Sequence, residues 1–366
     1  MGINRRQFCT LLSVSLITPQ LLANQHSPLI ASAARNAAGG YELIVVDNSG
    51  NSLWRHPLPA RAHHVEQHPQ KPLLAVVGRR PETFIDIVDY QAKTLLTRIS
   101  SRPGQHFYGH AVFSPDGRYL ISTENHIATG QGLIVLRDPL QNFAVTAQYP
   151  SGGIGPHELK FMPDGKTLVV ANGGILTRPS HGRRKLNVDT MQPSLAYINT
   201  GTGQMLEQAF MPEELHQLSI RHIDINQAGR VAVALQFQGA PYENPPLVAF
   251  HSHGKALELV SAPEPVNLAM KQYCGSARFD KSGEIAAISA PRGNLITFWN
   301  QSGSYLAKIR SRDGCGVART NIPGEFLITT GSGQCYRYNL STQKTTRLAL
   351  KIDGNLAWDN HLNSFL

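Results

Sequence analysis

Residues 110–120, HAVFSPDGRYL, constrain the fold more than any other stretch because the unit recurs. It reads as an apolar strand, a tight turn and the start of a second strand. Pro115 presets φ, Asp116 can bond the backbone, and Gly117 accepts positive φ, which together define a β-turn. Residues 157–168 are a second copy, 221–230 a third and 276–284 a fourth, with weaker copies at 64–74 and 315–327. Copies at His64, His110 and His157 are spaced by 46 and 47 residues; the next, at His222, follows after 65, and the phase returns near Ser276 and Val317. A period in the forties built from short strands is the signature of a β-propeller, one four-stranded blade per repeat.

Six blades can be written out, over residues 64–102, 110–150, 157–212, 222–265, 274–312 and 315–350. A hairpin over residues 41–46 and 52–58, and another over 356–359 and 362–366, each supply half a blade. The expectation is an all-β chain, a seven-bladed β-propeller whose last blade is closed by strands from both termini. Such closure leaves no open sheet edge. A sandwich, or six blades with a separate cap, would leave the two half-blades unexplained.

The propeller is expected over residues 34–366, with residues 1–33 as a leader. Asn4-Arg5-Arg6-Gln7-Phe8 resembles a twin-arginine export signal. The apolar stretch over residues 11–22 is too short and too polar to span a membrane, and Ala31-Ser32-Ala33 offers a cleavage site, with Ala23 as the alternative. The mature chain is therefore expected in the periplasm, as a monomer without a transmembrane segment. It keeps Cys274, Cys315 and Cys335; an odd count in an oxidising compartment leaves room for one disulfide, with Cys274–Cys315 the candidate.

The formal charge of +9 carries no basic run interleaved with aromatics, so nucleic acid is not expected as a partner. There is no G-x-S-x-G elbow, H-E-x-x-H, phosphate-binding P-loop or C-x-x-C, so no catalytic residue can be assigned.

Chemistry is expected at the channel, which the first strand of each blade lines. Six successive blades place His64, His110, His157, His222, Cys274 and Cys315 at nearly equivalent positions there. Imidazole and thiolate are the usual ligands of borderline and soft metals, and a ring of them converging on one axis can build a site that no local spacing reveals. His110, His157 and His222 are expected to point inward as ligands, with His64, Cys274 and Cys315 as further candidates. Glu158 and Arg221 would shape the pocket. The copies are offset by one or two residues, which would swing some side chains off the axis. Two irregular loops add candidates: residues 122–130, with Glu124 and Asn125, and an insert over residues 176–192 in the third full blade, with Arg183 and Asn187.

Several longer motifs are specific. They are Gly153-Ile154-Gly155-Pro156-His157-Glu158-Leu159, Ser122-Thr123-Glu124-Asn125, the insert from Gly182 to Leu195, Arg221-His222, and Asp313-Gly314-Cys315-Gly316-Val317. In these the chain resembles a family of twin-arginine-exported propellers known as domain of unknown function 1513, over nearly all of the mature chain. The resemblance implies a functional insert. It also implies a setting beside imelysin-like periplasmic proteins and a di-haem oxidoreductase, hence iron acquisition. It carries no activity to transfer. The expected function is binding: a polar channel mouth that holds a transition metal ion (iron or copper) or a metal complex, or that docks a periplasmic iron-uptake partner. The alternatives are a metal-dependent, lactonase-like hydrolase and a scaffold without a small-molecule site.

Overall fold

In most repeats the second strand is strongly apolar. The computed structural model, which describes residues 28–182 and 184–365, places that strand inside an antiparallel sheet. Leu73–Gly78, Thr167–Asn172 and Val231–Phe237 are buried along almost their whole length, because neighbouring blades cover both of their faces. Outer strands face solvent on one side and alternate instead, as Tyr305–Arg310 does. The turn between first and second strands is built as expected: Gly117 takes φ +70°, and Asp116 Oδ1 accepts from the Arg118 N–H at 3.0 Å.

Seven such sheets close into a ring, a seven-bladed β-propeller. The inner strands are Ala62–Gln67, Gln105–Phe113, Pro156–Phe161, Leu218–Ile225, Ser276–Phe279 and Gly314–Arg319, each beside the next around the channel. Apolar side chains wedge the blades together. The largest cluster runs through the third to fifth blades and includes Tyr197, Phe250, Phe279 and Trp299. Full burial of each such ring contributes about 1.5–3 kcal/mol.

The seventh blade does draw on both termini, but as three strands plus one. Pro28–Arg35, Tyr41–Asp47 and Ser52–Leu58 form its outer three strands. The C-terminal segment supplies only the innermost strand, in two pieces, Ala357–Trp358 and Asn363–Ser364, both paired to Pro28–Arg35. The expected two-plus-two closure is corrected, and the reason is burial: Ile30, Ala31, Ala33 and Ala34 are almost wholly buried, so this segment takes the second-strand position. Residues 28–33, read from sequence as the end of the leader, therefore lie in a strand. Its Ser32 Oγ donates to His361 O at 2.6 Å, and its Ala33 O accepts from the Asp359 N–H at 2.9 Å. The twin-arginine motif and the rest of the leader lie outside the described residues. Among the described residues, no helix is long and apolar enough to cross a membrane.

Candidate metal centre

Bulges turn the inner strands toward the channel axis. The pairing ladder skips His63 in the first blade, residues 108–110 in the second, 157–158 in the third, Arg221 in the fourth and Cys315 in the sixth. A bulge inserts an unpaired residue and re-aims its side chain. The offsets between sequence copies are absorbed at these bulges rather than carried outward as misdirected side chains.

Six imidazoles meet as a result: His63 and His64 of the first blade, His110, His157 and His222 of the next three, and His361 of the closing strand. None is more than 5% exposed. From the His110 ring centroid, His63, His64, His157 and His361 lie 4.7–4.9 Å away and His222 5.7 Å. Three sets of ligand atoms lie within 4.8 Å of one another: His63, His110 and His361; His110, His157 and His222; and His64, His110 and Glu158. His110 is common to all three. Metal–nitrogen bonds of about 2.0–2.1 Å put neighbouring ligand atoms roughly 3.3 Å apart, so ligation would draw these rings together by side-chain rotation. The packing is tight at Gly109, which takes φ +108°; a Cβ there would lie 2.7 Å from His63 Cδ2.

Burial holds these rings in the neutral form that ligates metals. It lowers His63 to about 4, and lowers His64, His110, His157 and His361 well below the usual imidazole value. His222 is lowered too, although Glu158 opposes the shift. Both ring nitrogens of His63, His110 and His361, and Nδ1 of His64 and His157, are buried without a hydrogen-bond partner. An unsatisfied buried polar atom costs about 1–3 kcal/mol, a cost that ligation to a cation removes.

Beneath the rings, Glu158 is fixed by three donors. Its Oε2 accepts from His222 Nδ1 at 3.2 Å and from the Ile223 N–H at 3.1 Å, and Oε1 accepts from Arg278 at 3.2 Å. Burial alone would raise this carboxyl, but Arg278, His222 and Lys160 outweigh it and hold it well below the usual range. Donation from Nδ1 leaves the lone pair of His222 on Nε2, the arrangement of a metal-ligating histidine backed by a carboxylate. Burial would likewise raise Asp359, but His63 and Arg61 bring it to about 2.

The other sequence candidates fall in different places. Arg221 lines a cavity together with His63, His157 and His222. Glu124 and Asn125 belong to the strand Leu120–His126, not to a loop. Glu124 lies inside its blade, accepting from Ser122 Oγ at 2.8 Å and from Arg137 at 2.6 Å, and neither residue lines a channel cavity. Asn187 staples the base of the insert, accepting from the Leu176 N–H at 2.6 Å and donating to Gly174 O at 2.8 Å. Arg183 lies outside the described residues. Cys274, Cys315 and Cys335 are free and buried, so the candidate Cys274–Cys315 bridge, which sequence left open, is not formed. Burial pushes all three thiols up to about 12, and none joins the histidine sets. At the opposite mouth, His64, Glu66, Asp224 and Arg278 border a cavity of about 290 Å³, and burial raises Glu66.

Sequence reasoning did not place His63, His361 and Arg278 among the site residues. His63 adjoins a candidate, but only the bulge at His63 brings both neighbours to the cluster. His361 had a usable signal: a seventh inner strand must also present a residue to the axis, and His361 is the one imidazole in the closing segment over residues 356–366.

The sequence profile of a family described as protein of unknown function (DUF1513) matches residues 56–365. The chain belongs to this family. The match takes in six whole blades and the closing strand of this DUF1513 propeller, and with them all six histidines. No curated protein matches the sequence. Among solved structures, a chain of the mitotic checkpoint complex superposes with a TM-score of 0.59 at 10% identity, covering 80% of this chain and 78% of that one. A chain of Kuenenia stuttgartiensis hydrazine synthase gives a TM-score of 0.45 at 14% identity, over 80% of this chain and 96% of that one. The first is a likeness of fold alone, and the second carries no argument.

Proposed function

We propose that this DUF1513 propeller is an exported metal-binding protein that holds one first-row transition metal ion among the channel histidines. The observation that carries the reading is His110: it is fully buried, both of its ring nitrogens are unpartnered, and it is common to three sets of ligand atoms. An all-imidazole donor set suits iron, copper, nickel or zinc. The export signal and the setting implied by the family resemblance make iron and copper the first ions to test. They also make periplasmic iron-uptake proteins the first partners to try. Burial keeps the rings neutral near pH 7, so ligation does not compete with protonation there.

The test is elemental mass spectrometry on protein exported with its own leader and purified without chelators, beside a folded His110→Ala/His361→Ala variant. About one metal ion per chain, lost in the variant, is expected. A metal-free wild type that also fails to take up added iron, copper or zinc would overturn the reading.

A further inference from the structure

The arginine-lined mouth of the channel is chemically distinct from the histidine cluster beneath it. A cavity of about 110 Å³ lies there, bounded by Arg80, Tyr108, Arg221 and Tyr273, with His157 and His222 at its inner edge. No carboxylate among the described residues lines it. Arg221 projects from the bulge of the fourth inner strand, and its Nε is buried without a hydrogen-bond partner. Arg80 donates to Thr177 Oγ1 and reaches Tyr108 Oη at 3.5 Å, with its guanidinium 5.2 Å from the Tyr108 ring centroid, and among the described residues it pairs with no carboxylate. Thr177 belongs to the insert of the third blade, whose Arg178 also donates to Ala128 O at 3.1 Å, so the insert braces this mouth. Farther out, Arg79, Arg80 and Arg178, with Glu82 and the Asp359-paired Arg61, border a vestibule of about 380 Å³.

Arg221 is half-buried with its Nε unpartnered; such a guanidinium is costly to hold without a counter-charge, and its planar fork matches carboxylate and phosphate-type oxygens. The volume of the inner cavity limits the counter-charge to about four water-sized groups. We propose that this cavity binds a small doubly charged oxyanion, of the size of sulfate, phosphate or oxalate, between Arg221 and Arg80. Its inner edge then faces His157 and His222, and in metal-loaded protein the same anion lies against the ion. That last clause rests on the metal reading; the anion site itself does not. The insert expected to carry function thus acts by positioning Arg80 rather than by supplying a ligand to the metal.

The test is calorimetric titration of sulfate, phosphate and oxalate into stripped, metal-free protein in a low-salt buffer free of these anions. The wild type is compared with Arg221→Gln and Arg80→Gln, and folding of each variant is checked by thermal unfolding. At least one of the three anions is expected to bind wild type at one per chain. Loss of a charge-assisted contact should weaken it about 10- to 100-fold in either variant. Absence of saturable binding to wild type at millimolar anion, or equal affinity in folded wild type and both variants, would overturn the proposal. Positions 110 and 361, on which the metal test is read, line no part of this cavity. The metal-free titration also stands whatever the metal analysis finds, so the two failures are distinguishable.

Discussion

Lowering the pH from 7 to 5.5 should destabilise metal-free protein steeply. Burial places the folded-state values of the channel histidines below the unfolded imidazole value of 6.5. The unfolded chain therefore binds more protons, and stability falls as the pH drops through about 6.5. At pH 5.5 about nine-tenths of each unfolded imidazole is protonated. Native His63, at about 4, stays almost wholly neutral. That difference gives about 1.2 kcal/mol per pH unit from His63 alone. Five more channel rings shift in the same direction, so the slope near pH 5.5 should exceed about 3 kcal/mol per pH unit. Carboxylates held at or below their ordinary values contribute little there, because their unfolded values lie near 4; Glu66 and Asp313, which burial raises, oppose the slope without cancelling six rings. His68, His106 and His251 are also lowered but lie outside the six-ring cluster, so a variant is needed to isolate the channel. His110→Asn removes one titrating ring and should reduce the slope by about 1.2 kcal/mol per pH unit. Urea unfolding between pH 7.5 and 5 measures both slopes. A wild-type slope below about 1 kcal/mol per pH unit, or no change in His110→Asn, would refute the reasoning.

Three further outcomes follow from the packing. Gly109→Ala should lose about 1 kcal/mol or more and weaken metal uptake, because the new Cβ would press on His63 at 2.7 Å; a urea midpoint and a metal titration that both match wild type would contradict this. Intact-mass analysis of exported protein should place the mature N-terminus before Pro28. A chain begun at residue 34 should unfold at clearly lower urea, since it lacks most of the strand Pro28–Arg35. Cys274, Cys315 and Cys335 should resist an aromatic disulfide reagent at pH 8 until the chain is unfolded, because burial holds their thiols at about 12; fast labelling of native protein would show the sixth blade or its neighbour to be open.

Much of the fold was legible because its cause is local. The Pro-Asp-Gly turns and the apolar second strands repeat with the blade, and each is read from a dozen residues. The closing blade was only partly legible, because Ile30–Ala34 resembles the end of a leader and becomes a strand only when the C-terminal segment reaches it. At the site, His64, His110 and His157 recur at the repeat period and His222 opens the next copy beyond the insert, so sequence could name them. That His63 joins His64 in the cluster is the work of a bulge, and a bulge depends on cross-strand pairing that a single segment does not encode. Glu124 shows the converse: a polar run in sequence proved to be a strand whose carboxylate is held by Arg137 inside the blade. Cys274 and Cys315 occupy nearly equivalent repeat positions but join none of the histidine sets, and Cys274 packs in the largest core cluster.

The most direct measurement of the central claim is an anomalous difference map, collected at the absorption edge of whichever ion the purified protein carries. The account predicts one strong peak in the channel, about 2 Å from a ring nitrogen of His110 and from at least two more of the six histidines. A peak only on surface carboxylates or histidines, or none in the channel of a crystal grown from metal-loaded protein, would contradict it.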